Sequence, residues 1–229
     1  MKNLIFLCSI LGVLFFNSCI GDDIIDDRVD PLLRVSNPID SIELNSSYQL
    51  EIISFNNVGK EVPVELQWTS SDPSTIEVSN TGLVSAKQLG NAIITATGEA
   101  LSGEVVKTDI LIVVGNTTVI SVIEERTGTL TTTSSYALEG SFNLKEINDV
   151  LTLSFEDDYK ASSALPGLFI YLTNNPNTTS GAFEIGAVTV FNGAHSYELP
   201  SSIDIMDYEY VLYFCKPFNV KVGDGQFEN

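Results

Sequence analysis

The chain has 229 residues, with 30 acidic against 11 basic side chains and a formal net charge of −19. That excess of negative charge repels nucleic acid and anionic lipid headgroups, so neither is expected as a partner. Hydrophobic residues make up 44% of the sequence, which excludes an intrinsically disordered polymer.

The first residues read MKNLIFLCSILGVLFFNSC. Lys2 supplies a positive start, and Leu4 to Phe16 form an apolar run with the length of a signal-peptide core, short for a bilayer span. Asn17-Ser18-Cys19 closes the run and resembles a lipobox, which implies a leader at 1–18 and acylation of the Cys19 thiol. Residues 19–33 then read as acylated cysteine and acidic linker, since the aspartates of IGDDIIDD repel one another and resist burial. This stretch is similar to the segment behind the acylated cysteine of surface-exported lipoproteins in Bacteroidetes-type bacteria. The expectation is an outer-membrane lipoprotein displayed at the cell surface, its membrane contact made through the acyl chains on Cys19.

Beyond the linker no helical stripe of useful length occurs. Short apolar or alternating runs follow one another instead, among them SYQLEIIS, VELQWTS, NAIITATG, DILIVV, VLTLSF, GLFIYLT, AVTVF and EYVLYF, with Gly, Asn, Asp and Pro between them. This spacing predicts an all-β chain, an Ig-like β-sandwich followed by a second β-rich sandwich or barrel. The boundary falls near Gly115-Asn116, giving units at 34–115 and 120–229.

In the first unit, Trp68 shares a face with Leu66 and is expected on a central strand, filling the gap between sheets. Ser70-Ser71-Asp72-Pro73 is turn chemistry, and Ile76 and Val78 alternate on the next strand. Asn80-Thr81-Gly82 turns the chain into Leu83-Val84, and Ala92 to Ala96 form a strand of small and branched residues. Read in order, SIELNSSYQLEI, VELQWTSSDPSTIEVSNTGLVSAKQLGNAIITATG and TDILIVV resemble the bacterial immunoglobulin-like domain, group 2 (BIG2). The resemblance implies a spacer or adhesion module. Every residue named in it has a structural reading as core or turn. Asp40-Ser41-Ile42 also resembles the Asp-Ser/Thr-aliphatic O-glycosylation sequon of the same bacteria.

The second unit carries SYALEGSFNL, VLTLSFEDDY, GLFIYLT and YELPSSIDIMDYEYVLYFCKPFNV in that order. The series resembles the DM13 domain, an extracellular β-rich module found alone or beside DOMON domains. Two places depart from it: Pro166-Gly167 reverses the usual Gly-Pro, and Val222 to Phe227 replace the usual ending. Cys215 occupies the family's cysteine position, and the resemblance implies redox or electron-transfer chemistry there. Of three cysteines, Cys8 lies in the leader and Cys19 is acylated, so Cys215 is left without a disulfide partner in the chain.

Alternation places Val211, Tyr213 and Cys215 on one face of a strand that is apolar on both sides. The residues leave two readings of Cys215 open, an inert core thiol or a reactive redox thiol at the strand end before Pro217. The single histidine, His195, follows Asn192-Gly193-Ala194 and is expected in a solvated turn. One histidine cannot build a blue-copper site, and the cysteine count excludes four-cysteine zinc or iron–sulfur centres. Non-covalent haem would have only His195 and Met206 as its axial pair. No cofactor and no metal are therefore expected. The sequence points to a binding protein with a surface protein or glycan as partner. Redox chemistry at Cys215 and polysaccharide binding are the alternatives, and no catalytic constellation marks an enzyme.

Overall fold

The computed structural model describes residues 27–100 and 103–228. The proposed leader and the acylation site at Cys19 lie outside the described residues. The first unit contains β1 (Leu32–Val35), β2 (Ile39–Glu43), β3 (Ser47–Gln49), β4 (Ile52–Phe55), β5 (Leu66–Ser70), β6 (Ile76–Val78), β7 (Leu83–Ala86), β8 (Gly90–Glu99), β9 (Val105–Gly115) and β10 (Val119–Ile120). The second contains β11 (Glu125–Thr132), β12 (Leu138–Ile147), β13 (Val150–Phe155), β14 (Lys160–Ala161), β15 (Leu168–Thr173), β16 (Phe183–Ala187), β17 (His195–Glu198), β18 (Tyr210–Cys215) and β19 (Val220–Gln226). A single 3-10 turn, Lys216–Phe218, is the only helix among the described residues.

The first unit is a sandwich. A five-stranded sheet ordered β10-β2-β9-β8-β5 faces the smaller sheets β3-β7-β6 and β1-β4. All pairings are antiparallel except β2 with β9. Alternating residues deliver Ile42, Ile94 and Ile112 from the large sheet, and Ile76 and Val84 from the small one, into one core. Trp68 differs from expectation. Its strand β5 is the sheet's edge, so the ring is half-buried against the core with Gly82 beneath it. A Cβ at Gly82 would stand 2.7 Å from the indole, and its φ of +83° suits glycine. Ser41 lies within β2 and donates its Oγ–H to the Thr117 carbonyl at 3.0 Å.

The second unit is one nine-stranded sheet ordered β16-β15-β18-β19-β11-β12-β13-β17, with β14 paired to β12, curled until it is nearly closed. Its interior holds the largest core of the chain. The run AVTVF contributes only Ala187 to a strand, because β16 lies earlier, at Phe183–Ala187. A register shift opposite Ile170/Tyr171, beside Gly186 at φ +149°, bulges the strand; the pairing resumes through Ala187 opposite Phe169, and buried Val188 places its N–H on the Leu168 carbonyl.

The two units meet across a buried ionic network. Arg34 on β1 reaches out of the sandwich, and its guanidinium meets Glu209 at 2.7 and 2.9 Å. It also donates to the carbonyls of Met206 and Asp207 and to Asn174 Oδ1. Arg126 on β11 approaches the other Glu209 oxygen at 2.9 Å and donates to the Tyr208 carbonyl at 2.7 Å. Each guanidinium lies over a ring, Arg34 on Phe55 and Arg126 on Phe227. Residues 27–33, read from composition as linker, take part: Asn175 donates to the Asp27 and Val58 carbonyls, and Asn177 to that of Arg28. Gly59 closes the seam, since a Cβ there would sit 2.5 Å from the Asn174 carbonyl oxygen.

Candidate functional site

Cys215 ends β18, which runs between β15 and β19. Val211 to Cys215 are all buried, as expected for a strand apolar on both faces. Val211, Tyr213 and Cys215 face the main core, while Leu212 and Phe214 join Tyr171 in a cluster on the other side. The thiol has no exposed surface and donates weakly to the Pro166 carbonyl at 3.5 Å. The Pro166-Gly167 turn seals this end: Gly167, at φ +77°, packs so tightly on Pro217 that a Cβ would come within 2.8 Å of its ring. The Lys216 N–H donates to the Gly167 carbonyl at 3.0 Å. Lys216 turns its ammonium to the opposite face, 2.7 Å from Glu184 and over Phe169. That hydrogen bond holds the Glu184 carboxyl below its usual range. Among the described residues no cation therefore stands beside the thiol to activate it, and its surroundings are those of a packed apolar residue.

The barrel interior nearby carries more polar chemistry than the sequence suggested. His195 is not in a solvated turn. It opens β17, stacks on Phe155 at 4.9 Å, and meets Tyr159 and Tyr197 edge to face at 4.5 and 5.5 Å. Cross-strand register puts it there, because β13 pairs with β17 through Phe155 opposite His195. Tyr159 enters the core from the turn after β13, where the Gly193 N–H donates to its carbonyl. Gly140, at φ +129°, lets the Tyr159 backbone close onto β12, since a Cβ there would lie 2.5 Å from the Tyr159 Cα. Asp158 secures the same turn by accepting from the Ser141 N–H and Oγ–H at 2.9 and 2.8 Å. Tyr213 completes the group, with ring centroids 6.3 Å from Tyr159 and 6.2 Å from Phe155.

Among the described residues the hydroxyls of Tyr159 and Tyr213 and Nε2 of His195 make no hydrogen bond of good geometry, while the Tyr197 hydroxyl lies toward Thr189. His195 Nδ1 lies 2.9 Å from the Gly193 carbonyl, which can only accept. The Nδ1 atom therefore carries a ring hydrogen and donates it to that carbonyl. The Tyr159 and Tyr213 hydroxyls approach each other without reaching hydrogen-bond geometry. Burial pushes the Tyr159 phenol up to about 12 and Tyr213 well above its ordinary value. Both stay protonated at any physiological pH.

His195 and Met206 do not share a site: the imidazole faces the barrel core, while Met206 lines a cleft between the two units. Among the described residues no group of three or more His, Cys, Asp or Glu is arranged to hold a metal ion. Two of the clefts at the junction have volumes of ≈ 580 and ≈ 750 Å³. Arg34, Asn174 and Tyr208 line the first. Ser121 to Glu125 and Ile203 to Met206 line the second.

Two family models match the chain. Residues 35–109 match the bacterial Ig-like domain (group 2), and residues 129–227 match electron transfer DM13. No curated protein matches it.

Proposed function

The chain joins a group 2 bacterial Ig-like domain to a DM13 domain, and from that premise we propose that it is a surface binding protein held at the outer membrane by acyl chains on Cys19. The Ig-like domain presents the DM13 domain in a fixed orientation. The Arg34–Glu209–Arg126 network carries this reading, because it joins the domains into one body whose junction offers a composite surface to a protein or glycan partner. The test probes glycan and surface-protein arrays with the two-domain chain and with Arg34→Ala. Saturable binding that weakens in the variant supports the composite surface. Silence across both arrays counts against a binding role.

A second reading, redox function, is favoured by the match to electron transfer DM13. Cys215 is its sequence candidate, and the thiol's complete burial sets the condition that an oxidant reach it through the barrel wall. Cys215→Ser separates the two readings. Unchanged redox behaviour in a folded variant removes the thiol from the chemistry.

A further inference from the structure

The junction between the domains contains a stretch of backbone that the fold leaves unused. Residues 121–124 carry the chain from β10 to β11, and β10 is the outermost strand of the five-stranded sheet, with β2 on one side and no strand of that sheet on the other. The Ser121 N–H is taken by the Pro38 carbonyl. Val122, Ile123 and Glu124 make no backbone hydrogen bond among the described residues, so their donors and acceptors stand open. Native sheets normally blunt such an edge with charge, proline or a covering loop. Here apolar side chains accompany it: Ile120 is 59% exposed and Val122 74%, the highest value of any large hydrophobic residue described. Val122 and Ile123 also line the ≈ 750 Å³ cleft, together with Ile203, Ile205 and Met206. The same cleft is bordered by four exposed acidic residues, Glu124, Glu125, Glu146 and Asp204. Glu125 has a counter-ion in Lys145 at 3.0 Å, whereas the other three have no ion pair among the described residues.

We propose that this cleft is a docking site for an extended cationic segment of a partner protein, which adds as a strand along residues 122–124 and the free edge of β10. The proposal rests on the binding reading above and deepens it by naming the partner's chemistry. An extended peptide supplies the N–H and C=O groups that Val122, Ile123 and Glu124 lack. Side chains of such a strand alternate between its faces, so apolar residues at every second position present one continuous face to the apolar lining of the cleft. Its long Lys or Arg side chains reach the three unpaired carboxylates of the rim. Charge selects this occupant over a second copy of the chain, because two molecules of net charge −19 would bring like-signed rims together. The chain's own stretch IGDDIIDD is repelled on the same ground. The rim is exposed to water and salt, so it acts on association rate and specificity, while the apolar lining and the backbone pairing hold the peptide.

The experiment titrates a fluorescein-labelled peptide of alternating lysine and valine with the whole two-domain chain and follows fluorescence anisotropy. A second peptide carries N-methyl groups on alternate residues, which removes the donors needed for pairing and keeps the charge. Three variants accompany the native chain. Glu124→Gln/Glu146→Gln neutralises the rim, and Val122→Pro removes an N–H that the fold does not use. Glu99→Gln/Glu104→Gln, at the opposite end of β8 and β9, lowers the net charge equally and serves as control. Circular dichroism and thermal melting establish that each is folded. The expected result is saturable binding that weakens about tenfold in the rim variant, is lost in Val122→Pro and with the methylated peptide, and is unchanged in the control variant. Equal weakening by the rim and control pairs reduces the binding to bulk charge and overturns the site. Equal affinity for the methylated peptide overturns strand addition and the proposal with it. Absence of peptide binding also overturns it: where the glycan or surface-protein arrays still bind, the binding reading stands, and silence in both removes both. Dimers of the protein alone in sedimentation, dissolved by Val122→Pro, would give the edge to a second copy and overturn the proposal.

Discussion

At the scale of single residues, burial decides the chemistry of Cys215 and the tyrosines. Cys215 is wholly enclosed, so a soluble alkylating reagent reaches it only when β18 is released from β15 and β19. Its native alkylation rate is expected to rise with urea in parallel with global unfolding, and to be immeasurably slow without denaturant. Rapid native labelling would place the thiol in an accessible setting. Tyr159 makes a complementary prediction at high pH. Its folded pKa, about 12, lies above the ordinary phenol value of about 10. The folded state therefore holds this proton more tightly than the unfolded state. The resulting stability is fully present below pH ~10 and is lost as pH rises toward the folded value. Alkaline titration of phenolate absorbance should show an exposed group of tyrosines ionising near the ordinary pKa. Tyr159 and Tyr213 should follow only as the barrel opens, and a single transition covering every tyrosine would contradict their enclosure.

Individual strands explain what one sequence could and could not disclose. The alternation in YVLYFC was enough to place Val211, Tyr213 and Cys215 on one face, because strand periodicity is local. The thiol's exposure was not legible, since the Pro166-Gly167 turn that covers it is 49 residues away. The same limit applies to His195. Its own neighbours, Gly193 and Ala194, describe a turn, and only the β13–β17 register brings it against Phe155. Trp68 was expected on a central strand and lies at the sheet's edge, because strand order, unlike strand existence, leaves no local signal. Three glycines within strands show how tightly the barrel closes. Phe142 fills the space above Gly128 and Gly225, where added Cβ atoms would lie 2.3 and 2.5 Å from its ring. Gly140 does the same for Tyr159. Gly128→Ala must displace both Phe142 and the Gln226 backbone, and is expected to destabilise by about 1–3 kcal/mol. The check is the shift in urea midpoint at constant m-value. A neutral Gly128→Ala would mean that the ring and the Gln226 backbone both move aside freely.

For the whole molecule, the governing feature is that two domains of separate family share one buried acid. Glu209 lies in the second unit, as does Arg126 on β11, yet Arg34 comes from β1 of the first. The guanidiniums of Arg34 and Arg126 are almost fully enclosed, so their fork geometry and their carbonyl partners matter more than bare attraction. Replacing a partner in such a group leaves an uncompensated buried charge and typically costs about 3–5 kcal/mol. Arg34→Ala spares the Glu209–Arg126 pair and removes the ionic tie between domains. Calorimetry of that variant should therefore resolve into two transitions, with the radius of gyration increased and Tyr159 still protected in its barrel. Glu209→Gln leaves both guanidiniums without their counter-charge, so it should lower the stability of the second domain as well as free the first. Arg34→Lys should rescue little, because one ammonium cannot serve Glu209, Asn174 and the carbonyls of Met206 and Asp207 from a single point. A single cooperative transition and an unchanged radius in Arg34→Ala would show that the remaining contacts of Gly59 and Asn175 hold the domains together alone. The Ig-like module would then be positioned by backbone packing and not by its arginine.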